Sequence, residues 1–232
     1  MDIILIAGLW LTARSWDAIV PPIEGAGHRA HPLTLPGMES GAADRSAVTR
    51  QDHVDAVLAA IDATDGPVLL VGHSMGGVLA WAAAAARLPR VAGVVFLASE
   101  PGIPEPSDSM FPVEGSDVPL PAWEFFDDDM VGDLDDDLRA MIRAGSVPSP
   151  LRAVTDGLAF GDDGLYDLPV TMITAEYDAA QLQEWTDAGE SGTEELARLR
   201  NVRYADLHSG HWPQFSRVSD SVRLILEAAE RG

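Results

Sequence analysis

One stretch in the first third of the chain, residues 67–77, constrains the fold more than any other. An apolar run at 68–71 leads into Gly-His-Ser-Met-Gly (72–76), and an alanine-rich stretch follows. This order predicts a buried strand, a sharp turn and a helix, with Ser74 at the apex of the turn. Such a turn holds the serine in a strained backbone conformation that exposes its hydroxyl, and the flanking glycines let strand and helix pass closely. The pattern therefore predicts a nucleophilic serine on an α/β fold.

Strand and helix patterns alternate on both sides of this turn. Strand patterns occupy residues 2–7, 28–35, 68–71, 91–97, 170–174 and 202–207. Helical spacing occupies residues 15–25, 48–61, 78–86, 193–199 and 215–229. This alternation predicts a mostly parallel sheet of about six strands with helices on both faces.

The alternation fails between residues 100 and 167, where Pro, Asp and Gly dominate and only short helical patches occur, at 121–130, 134–144 and 151–158. Because this segment has too few apolar residues for a core of its own, we interpret it as a cap inserted into one domain. The expected core is residues 1–99 and 168–232, and the expected acidic cap is residues 100–167.

Charge and composition limit the partners. The net charge is −22, all 15 basic residues are Arg, and the cap segment holds 17 acidic and 3 basic residues. A nucleic-acid partner is therefore not expected, and the acidity acts either as a solubilising surface or as a field that disfavours anionic substrates. The chain has no Cys, no apolar run of 18 residues and no basic leader, so we expect a cytoplasmic protein with no membrane partner. The expected partner is a small-molecule substrate, with no metal and no organic cofactor; oligomeric state is left open.

A serine nucleophile needs a base, and histidine suits neutral pH. Of six histidines, His211 lies in the loop after the strand pattern at 202–207, at the sheet edge where α/β proteins place their sites. We therefore predict His211 as the base, with His208 as a structural neighbour. We expect His73 to pack or support the turn, and the remaining three to be structural or surface residues: His28, His31 and His53.

The base in turn needs a carboxylate that fixes its tautomer. Asp178 follows the strand pattern at 170–174, and the chain order Ser74, Asp178, His211 is that of the α/β-hydrolases. We predict Asp178, with two rivals. Glu176 lies two residues earlier, and Glu100 follows the strand after the turn.

An oxyanion hole requires two backbone N–H groups. We assign them to Met75, at the start of the helix after Ser74, and to Leu9, in the loop after the first strand, where Gly8 permits close approach. Large side chains near these loops and in the cap are candidates for lining the substrate pocket: Trp10, Met110, Trp123, Phe125, Phe126 and Trp212.

Together these residues resemble the α/β-hydrolase fold superfamily, and most closely its branch of plant-type methyl esterases and hydroxynitrile lyases. The resembling segments are Gly8-Leu9 with Trp16, Gly-Ala-Gly-His-Arg-Ala (25–30), Leu-Pro-Gly-Met (35–38), Thr-Ala-Glu-Tyr-Asp (174–178) and Gly210-His211. The likeness covers residues 2–100 and 168–230, and the cap matches nothing in that branch.

Three positions depart from the branch. Ala7 stands where a histidine is usual, Gly8 where the lyases have Thr, and Trp212 where they have Lys. Because the last two differences remove the groups that handle cyanide, the resemblance implies an esterase rather than a lyase. The expected function is a serine hydrolase for a small, neutral, apolar ester or lactone, acting through an acyl-enzyme. Two alternatives remain: a lyase or cofactor-free oxygenase on the same scaffold, and a non-enzymatic ligand sensor.

Overall fold

A six-stranded, wholly parallel sheet organises the molecule. The computed structural model describes residues 1–102, 105–158, 160 and 163–231. In chain order the strands are β1 (Asp2–Ile6), β2 (Arg29–Leu33), β3 (Val68–His73), β4 (Val91–Leu97), β5 (Asp117–Val118), β6 (Ser149–Pro150), β7 (Val170–Thr174) and β8 (Val202–Asp206). The main sheet has the order β2-β1-β3-β4-β7-β8, and β5 and β6 form a separate antiparallel pair. The predicted parallel sheet of six strands is confirmed.

Helices cover both faces of this sheet. They are α1 (Val20–Gly25), α2 (Arg50–Asp62), α3 (Met75–Ala86), α4 (Asp128–Val131), α5 (Asp136–Gly145), α6 (Leu151–Thr155), α7 (Ala179–Ala188), α8 (Pro213–Ser216) and α9 (Val218–Ala229). Neighbouring residues of β1 face opposite sides, as the two-residue period of a strand requires: Ile4 packs with α2 and α3, and Ile3 packs with α1 and α9. Each face therefore has its own buried apolar layer.

Two helical predictions differ from the structure. The pattern at 193–199 gives only a short 3₁₀ turn, Leu196–Arg198, whereas α7 was not predicted at all. The sequence of α7 is largely polar, and Leu182 is its single fully buried residue among those described, so its apolar periodicity is weak. The predicted helix at 15–25 divides into a 3₁₀ turn, Ala13–Trp16, and α1, whose first turn holds two prolines.

The segment between β4 and β7 is tied to the core by buried guanidinium groups. Arg50 donates from Nε to the carbonyl of Ala153 at 2.9 Å, and Arg45 donates from Nε to the carbonyl of Pro148 at 2.7 Å. Both arginines are nearly fully buried, 4% and 2% exposed. Because a buried charge is costly without hydrogen bonds, these contacts hold the segment in one position.

None of the described helices is both long and apolar enough to cross a membrane.

Candidate active site

The strand–turn–helix at residues 67–77 forms as the sequence predicts. Ser74 lies between β3 and α3 with φ 51° and ψ −127°, a strained conformation for a residue with a side chain. A Cβ on Gly72 or Gly76 would clash with main-chain atoms of the helix or of β1, which explains why both positions are glycine. Ser99 donates its hydroxyl to the carbonyl of Ser74 at 2.6 Å and supports the turn from the end of β4.

His211 lies against the Ser74 hydroxyl. Its Nε2 is 2.9 Å from Ser74 Oγ, a hydrogen-bonding distance, although 137 residues separate the two in sequence. The loop after β8 carries His211, and the carboxyl ends of β3 and β8 lie along the same edge of the sheet. The structure therefore brings together the serine and the histidine that the sequence pairs as nucleophile and base.

The carboxylate beside His211 is Glu176 and not Asp178. Glu176 Oε1 is hydrogen-bonded to His211 Nδ1, so the imidazole is held between Glu176 and Ser74. Asp178 instead begins α7 as its N-cap, and its carboxylate accepts the backbone N–H of Gln181 at 2.8 Å. The prediction that Asp178 orients His211 is thus wrong in this structure, because the helix start uses that carboxylate.

Glu176 remains ionised despite its burial. Burial is the largest single influence and raises the pKa of the carboxyl, but the hydrogen bond and the electrostatic interaction with His211 outweigh it. The net result is a pKa below the ordinary value of 4.5. An ionised Glu176 fixes the proton on His211 Nδ1 and leaves Nε2 free to accept the Ser74 proton.

Two further contacts hold the His211 backbone. Its N–H donates to the carbonyl of Met130 in α4 at 2.8 Å, and its carbonyl lies 2.7 Å from Nε2 of His73. A side chain on Gly210 would collide with the carbonyl of Met130, so only glycine permits this approach. Burial lowers the pKa of His73 to about 3, which keeps its ring neutral. Neutral His73 carries one N–H, and its donation to the carbonyl of His211 fits the expected supporting role.

The loop after β1 closes on Ser74 from the other side. A Cβ on Gly8 would lie 2.8 Å from the Cβ of Ser74, so this residue must be glycine for the loop to approach. The N–H of the next residue, Leu9, has no hydrogen-bond partner within the described part of the chain. Met75 is the first residue of α3, and its N–H is one of those an α-helix leaves outside its internal bonds.

A cavity of about 300 Å³ opens at Ser74. It is lined by ten residues that follow the carboxyl ends of four strands or lie at the start of α3: Ser74, Met75, Val78, Ala98, Ser99, Glu100, Gly102, Glu176, Tyr177 and His211. Tyr177 donates its hydroxyl to the Glu100 carboxylate. Burial, together with the nearby charge of Glu176, raises the pKa of Glu100 above its ordinary value against the lowering effect of the Tyr177 bond. The wall of the cavity is therefore acidic.

None of the predicted pocket residues lines this cavity. Trp10, Phe126 and Trp212 are buried in an apolar cluster, Trp123 packs against it, and Met110 is 78% exposed on the surface. The prediction rested on side-chain type, and large aromatic side chains fill the interior more often than they contact a substrate. Glu100 and Tyr177, which sequence reasoning did not place in the pocket, follow β4 and β7 directly, and that position at the sheet edge was the available signal.

Four packed aromatic side chains, of which Trp123 is half-buried and the others are buried, form what we call the aromatic cluster: Trp10, Trp123, Phe126 and Trp212. Trp212 packs edge-on against His211 with ring centroids 5.0 Å apart, and Phe126 packs against Trp212 at 5.3 Å. Trp10 joins the loop after β1 to the segment between β4 and β7, since its indole N–H donates to the carbonyl of Val118 at 3.0 Å. The cluster thus connects the His211 loop, the β1 loop and the cap segment.

The other histidines are placed away from Ser74. His31 pairs with Asp2 at 2.7 Å, His53 bonds the carbonyl of Pro36 at 2.8 Å, and His208 is exposed beyond β8. Within the described ranges, no group of three or more His, Asp or Glu side chains is arranged to hold a metal ion.

Comparison with known proteins gives the same architecture. A pyrethroid hydrolase from Sphingobium wenxiniae is 36% identical over 107 residues, a match that covers 44% of this chain and 38% of that protein. A solved pyrethroid hydrolase from Sphingobium faniae superposes with a TM-score of 0.75 at 23% identity and covers 99% of this chain and 97% of its own. A methylesterase from Arabidopsis superposes with a TM-score of 0.76 at 17% identity, with 99% of each chain covered. The model of the alpha/beta hydrolase family matches residues 3–223, and the chain belongs to that family.

Proposed function

We propose that this protein is a serine esterase that cleaves a small, neutral, largely apolar ester or lactone through an acyl-enzyme. The observation that carries the proposal is the hydrogen-bonded series Ser74–His211–Glu176, with 2.9 Å between His211 Nε2 and Ser74 Oγ. A hydroxyl in contact with a neutral imidazole, itself held by an ionised carboxylate, is the arrangement that activates serine in acyl transfer.

In the first half-reaction, Ser74 Oγ attacks the ester carbonyl carbon while its proton passes to His211 Nε2. The carbonyl oxygen gains negative charge, which the N–H groups of Leu9 and Met75 stabilise. The tetrahedral intermediate then collapses, the bond to the leaving oxygen breaks, and the His211 proton moves to that oxygen. The alcohol leaves and the acyl group stays on Ser74; a lactone opens and keeps its hydroxyl in the same molecule.

In the second half-reaction, His211 takes a proton from a water molecule as that water attacks the acyl carbon. The intermediate collapses, the Ser74 oxygen recovers the proton from His211, and the carboxylic acid product is released. Glu176 stabilises the imidazolium that forms in both halves without itself accepting the proton.

The size and charge of the cavity support the proposed substrate class. A volume of about 300 Å³ lies at the small end of the range for ligand sites. Glu100 and Glu176 in its wall disfavour an anionic substrate and favour release of the acid product. Relatives described as a pyrethroid hydrolase and a methylesterase agree with ester cleavage.

The proposal is tested with p-nitrophenyl acetate. Ser74→Ala should lose roughly a thousandfold or more of kcat/KM, because the nucleophile and its activation are removed together. Ser219→Ala, which changes an exposed serine on α9, is the matched control and should keep full activity. Unchanged hydrolysis by Ser74→Ala would exclude the mechanism.

The same assay separates the two alternatives. A ligand sensor would be acylated once per molecule and then stop, whereas an esterase releases p-nitrophenol through many turnovers. A lyase or a cofactor-free oxygenase would leave p-nitrophenyl acetate uncut while converting another substrate, and product analysis across esters, lactones and hydroxynitriles would show it.

A further inference from the structure

The cavity at Ser74 contains one carboxylate that the proposed reaction does not use. Glu100 follows β4, directly after Ser99, whose hydroxyl donates to the carbonyl of Ser74 at 2.6 Å. The side chain of Glu100 lines the cavity together with Ser74 and His211. The other carboxylate in the wall, Glu176, is already hydrogen-bonded to His211. Glu100 therefore lies at the site but outside the series of groups that transfer the proton.

One oxygen of the Glu100 carboxylate is held, and the other is accessible. Tyr177 donates its hydroxyl to Oε1 of Glu100. None of the described residues donates to Oε2, and this oxygen is not buried. Because the side chain is part of the cavity wall, a ligand bound beside Ser74 can contact Oε2.

Glu100 also has no positively charged partner among the described residues. Eight described carboxylates are partly or fully buried, and six of them pair with an Arg or His side chain: Asp2, Asp117, Asp156, Glu176, Glu195 and Glu227. The two exceptions are Glu100 and Asp133. Asp133 accepts the Ser216 hydroxyl at 2.6 Å and does not line the cavity at Ser74.

A cation in the cavity would supply the missing counter-charge. Burial is the largest influence that raises the pKa of Glu100, the negative charge of Glu176 adds to it, and no described cation opposes them. A positive charge within about 4–6 Å of a carboxylate favours its ionised form. Since a buried carboxylate without a partner is unfavourable, a ligand that pairs with Glu100 gains from this contact.

We infer that the cavity at Ser74 also accepts an ester that carries an ammonium group, with Glu100 as the residue that recognises the positive charge. This inference rests on the proposed function for the cleavage itself, which proceeds through the same acyl-enzyme, and it extends the substrates beyond neutral esters. In a cavity of about 300 Å³ the ammonium group must lie only a few bonds from the scissile carbonyl. Its carbon substituents would contact the apolar part of the wall, at Val78 and Ala98.

Acetylcholine and 3,3-dimethylbutyl acetate test the inference, because they have the same shape and differ only in the charge of one atom. Both release acetic acid, which is titrated at constant pH. The measured quantity is the ratio of kcat/KM for acetylcholine to kcat/KM for the neutral ester. The assay contains about 0.5 M NaCl, which screens exposed charges more than a partly buried one. We expect a ratio of about five in the unaltered protein and a fall of about fivefold in Glu100→Gln.

Two further variants serve as controls. Glu184→Gln removes an equal charge at an exposed position of α7 outside the cavity, and its ratio should match that of the unaltered protein. Ser74→Ala should lose activity on both esters, which shows that the same nucleophile cleaves them.

Three results would overturn the inference: a ratio of one or less in the unaltered protein, an unchanged ratio in Glu100→Gln, or an equal fall in Glu184→Gln. In each case cleavage of the neutral ester through Ser74 would leave the proposed function standing, whereas cleavage of neither ester would contradict both. If Glu100→Gln does not fold, the ratio in the unaltered protein decides, since the salt screens the surface charge.

Discussion

The two sides of the His211 imidazole are built from different kinds of residue. On one side, polar groups at the ends of parallel strands meet: Ser74 after β3, and Glu176 after β7. On the other side lies the aromatic cluster, which begins with Trp212 at 5.0 Å and extends into the cap segment. In the proposed reaction the polar side supplies the nucleophile and the carboxylate that stabilises the imidazolium, and the aromatic side supplies only buried surface.

This difference separates reactivity from stability. A substitution on the polar side removes a group that the proposed reaction needs but buries little apolar area, so it should change rate more than folding. A substitution in the aromatic cluster leaves a void and weakens the packing of the segment between β4 and β7, so it should change folding more than the intrinsic chemistry.

Substitution of the two carboxylates after β7 should give the largest difference in catalytic rate. Glu176→Gln should lower kcat for p-nitrophenyl acetate by about three orders of magnitude, because the amide cannot stabilise the imidazolium. Asp178→Asn should lower it less than about threefold, since an Asn also caps α7. Steady-state kinetics of both variants at pH 7 measures this. Equal losses, or a larger loss in Asp178→Asn, would contradict the placement of Glu176.

Phe126→Ala tests the aromatic side. Phe126 is 8% exposed and contacts the rings of Trp10, Trp123 and Trp212. Its removal should lower the free energy of unfolding by about 3–4 kcal/mol, read from urea denaturation. Phe125→Ala, next in sequence but 48% exposed, is the matched control and should cost much less. If Phe126→Ala lowered the free energy of unfolding no more than Phe125→Ala, the aromatic cluster would not stabilise the segment between β4 and β7.

His73 should make the stability of the protein depend on pH. Because the folded state keeps its pKa near 3 and the ordinary value is 6.5, the unfolded chain binds a proton below pH 6.5 that the folded chain does not. Stability should therefore fall as pH drops from 6.5 toward 3. In His73→Gln this fall should be reduced, and kcat should drop about tenfold as the His211 carbonyl loses its fixed donor. Urea denaturation between pH 7 and 5 measures it, with the exposed His208→Gln as control; an unaltered slope would rule out this role.

Substitution of Glu100 should have the smallest effect on catalysis, and only for substrates that carry a charge. Glu100→Gln should raise kcat/KM for an anionic ester about threefold and leave a neutral ester of the same size unchanged, since one negative charge leaves the cavity wall. In the unaltered protein the anionic ester should gain relative to the neutral one as pH falls and Glu100, with its raised pKa, takes up a proton. Rates with the two esters as a function of pH check both statements. Equal changes for both esters would show that Glu100 acts by another route.

Local pattern was enough for the nucleophile turn and most of the sheet. The turn at residues 72–76 needs a strained serine between two glycines, and the apolar run before it and the alanine-rich stretch after it make the pattern specific. The strands β4 and β7 are buried along almost their whole length, and their predicted bounds agree with the structure. β4 is recognisable as a continuous apolar run, as expected for a strand buried on both faces. His211 was also identifiable from local sequence, because it lies in a loop directly after a strand pattern and follows Gly210, which permits a tight turn.

The carboxylate could not be chosen in the same way. Glu176 and Asp178 lie two residues apart after β7, and the sequence alone does not show which of the two side chains contacts His211. The choice depends on α7, because Asp178 is the N-cap of that helix and its carboxylate is already hydrogen-bonded there. α7 was not predicted because its sequence is largely polar. The cavity wall was missed because it depends on which strand ends lie side by side, a property of the assembled sheet rather than of any one segment.

The hydrogen-bonded series Ser74–His211–Glu176 is tested most directly by the rate at which a fluorophosphonate labels the protein, followed by peptide mass spectrometry. We expect one label per molecule, located on Ser74, with no label in Ser74→Ala. The rate should fall at least about a hundredfold in Glu176→Gln and stay unchanged in Asp178→Asn. Labelling at another residue, or a slow rate in Asp178→Asn with a normal rate in Glu176→Gln, would contradict the account.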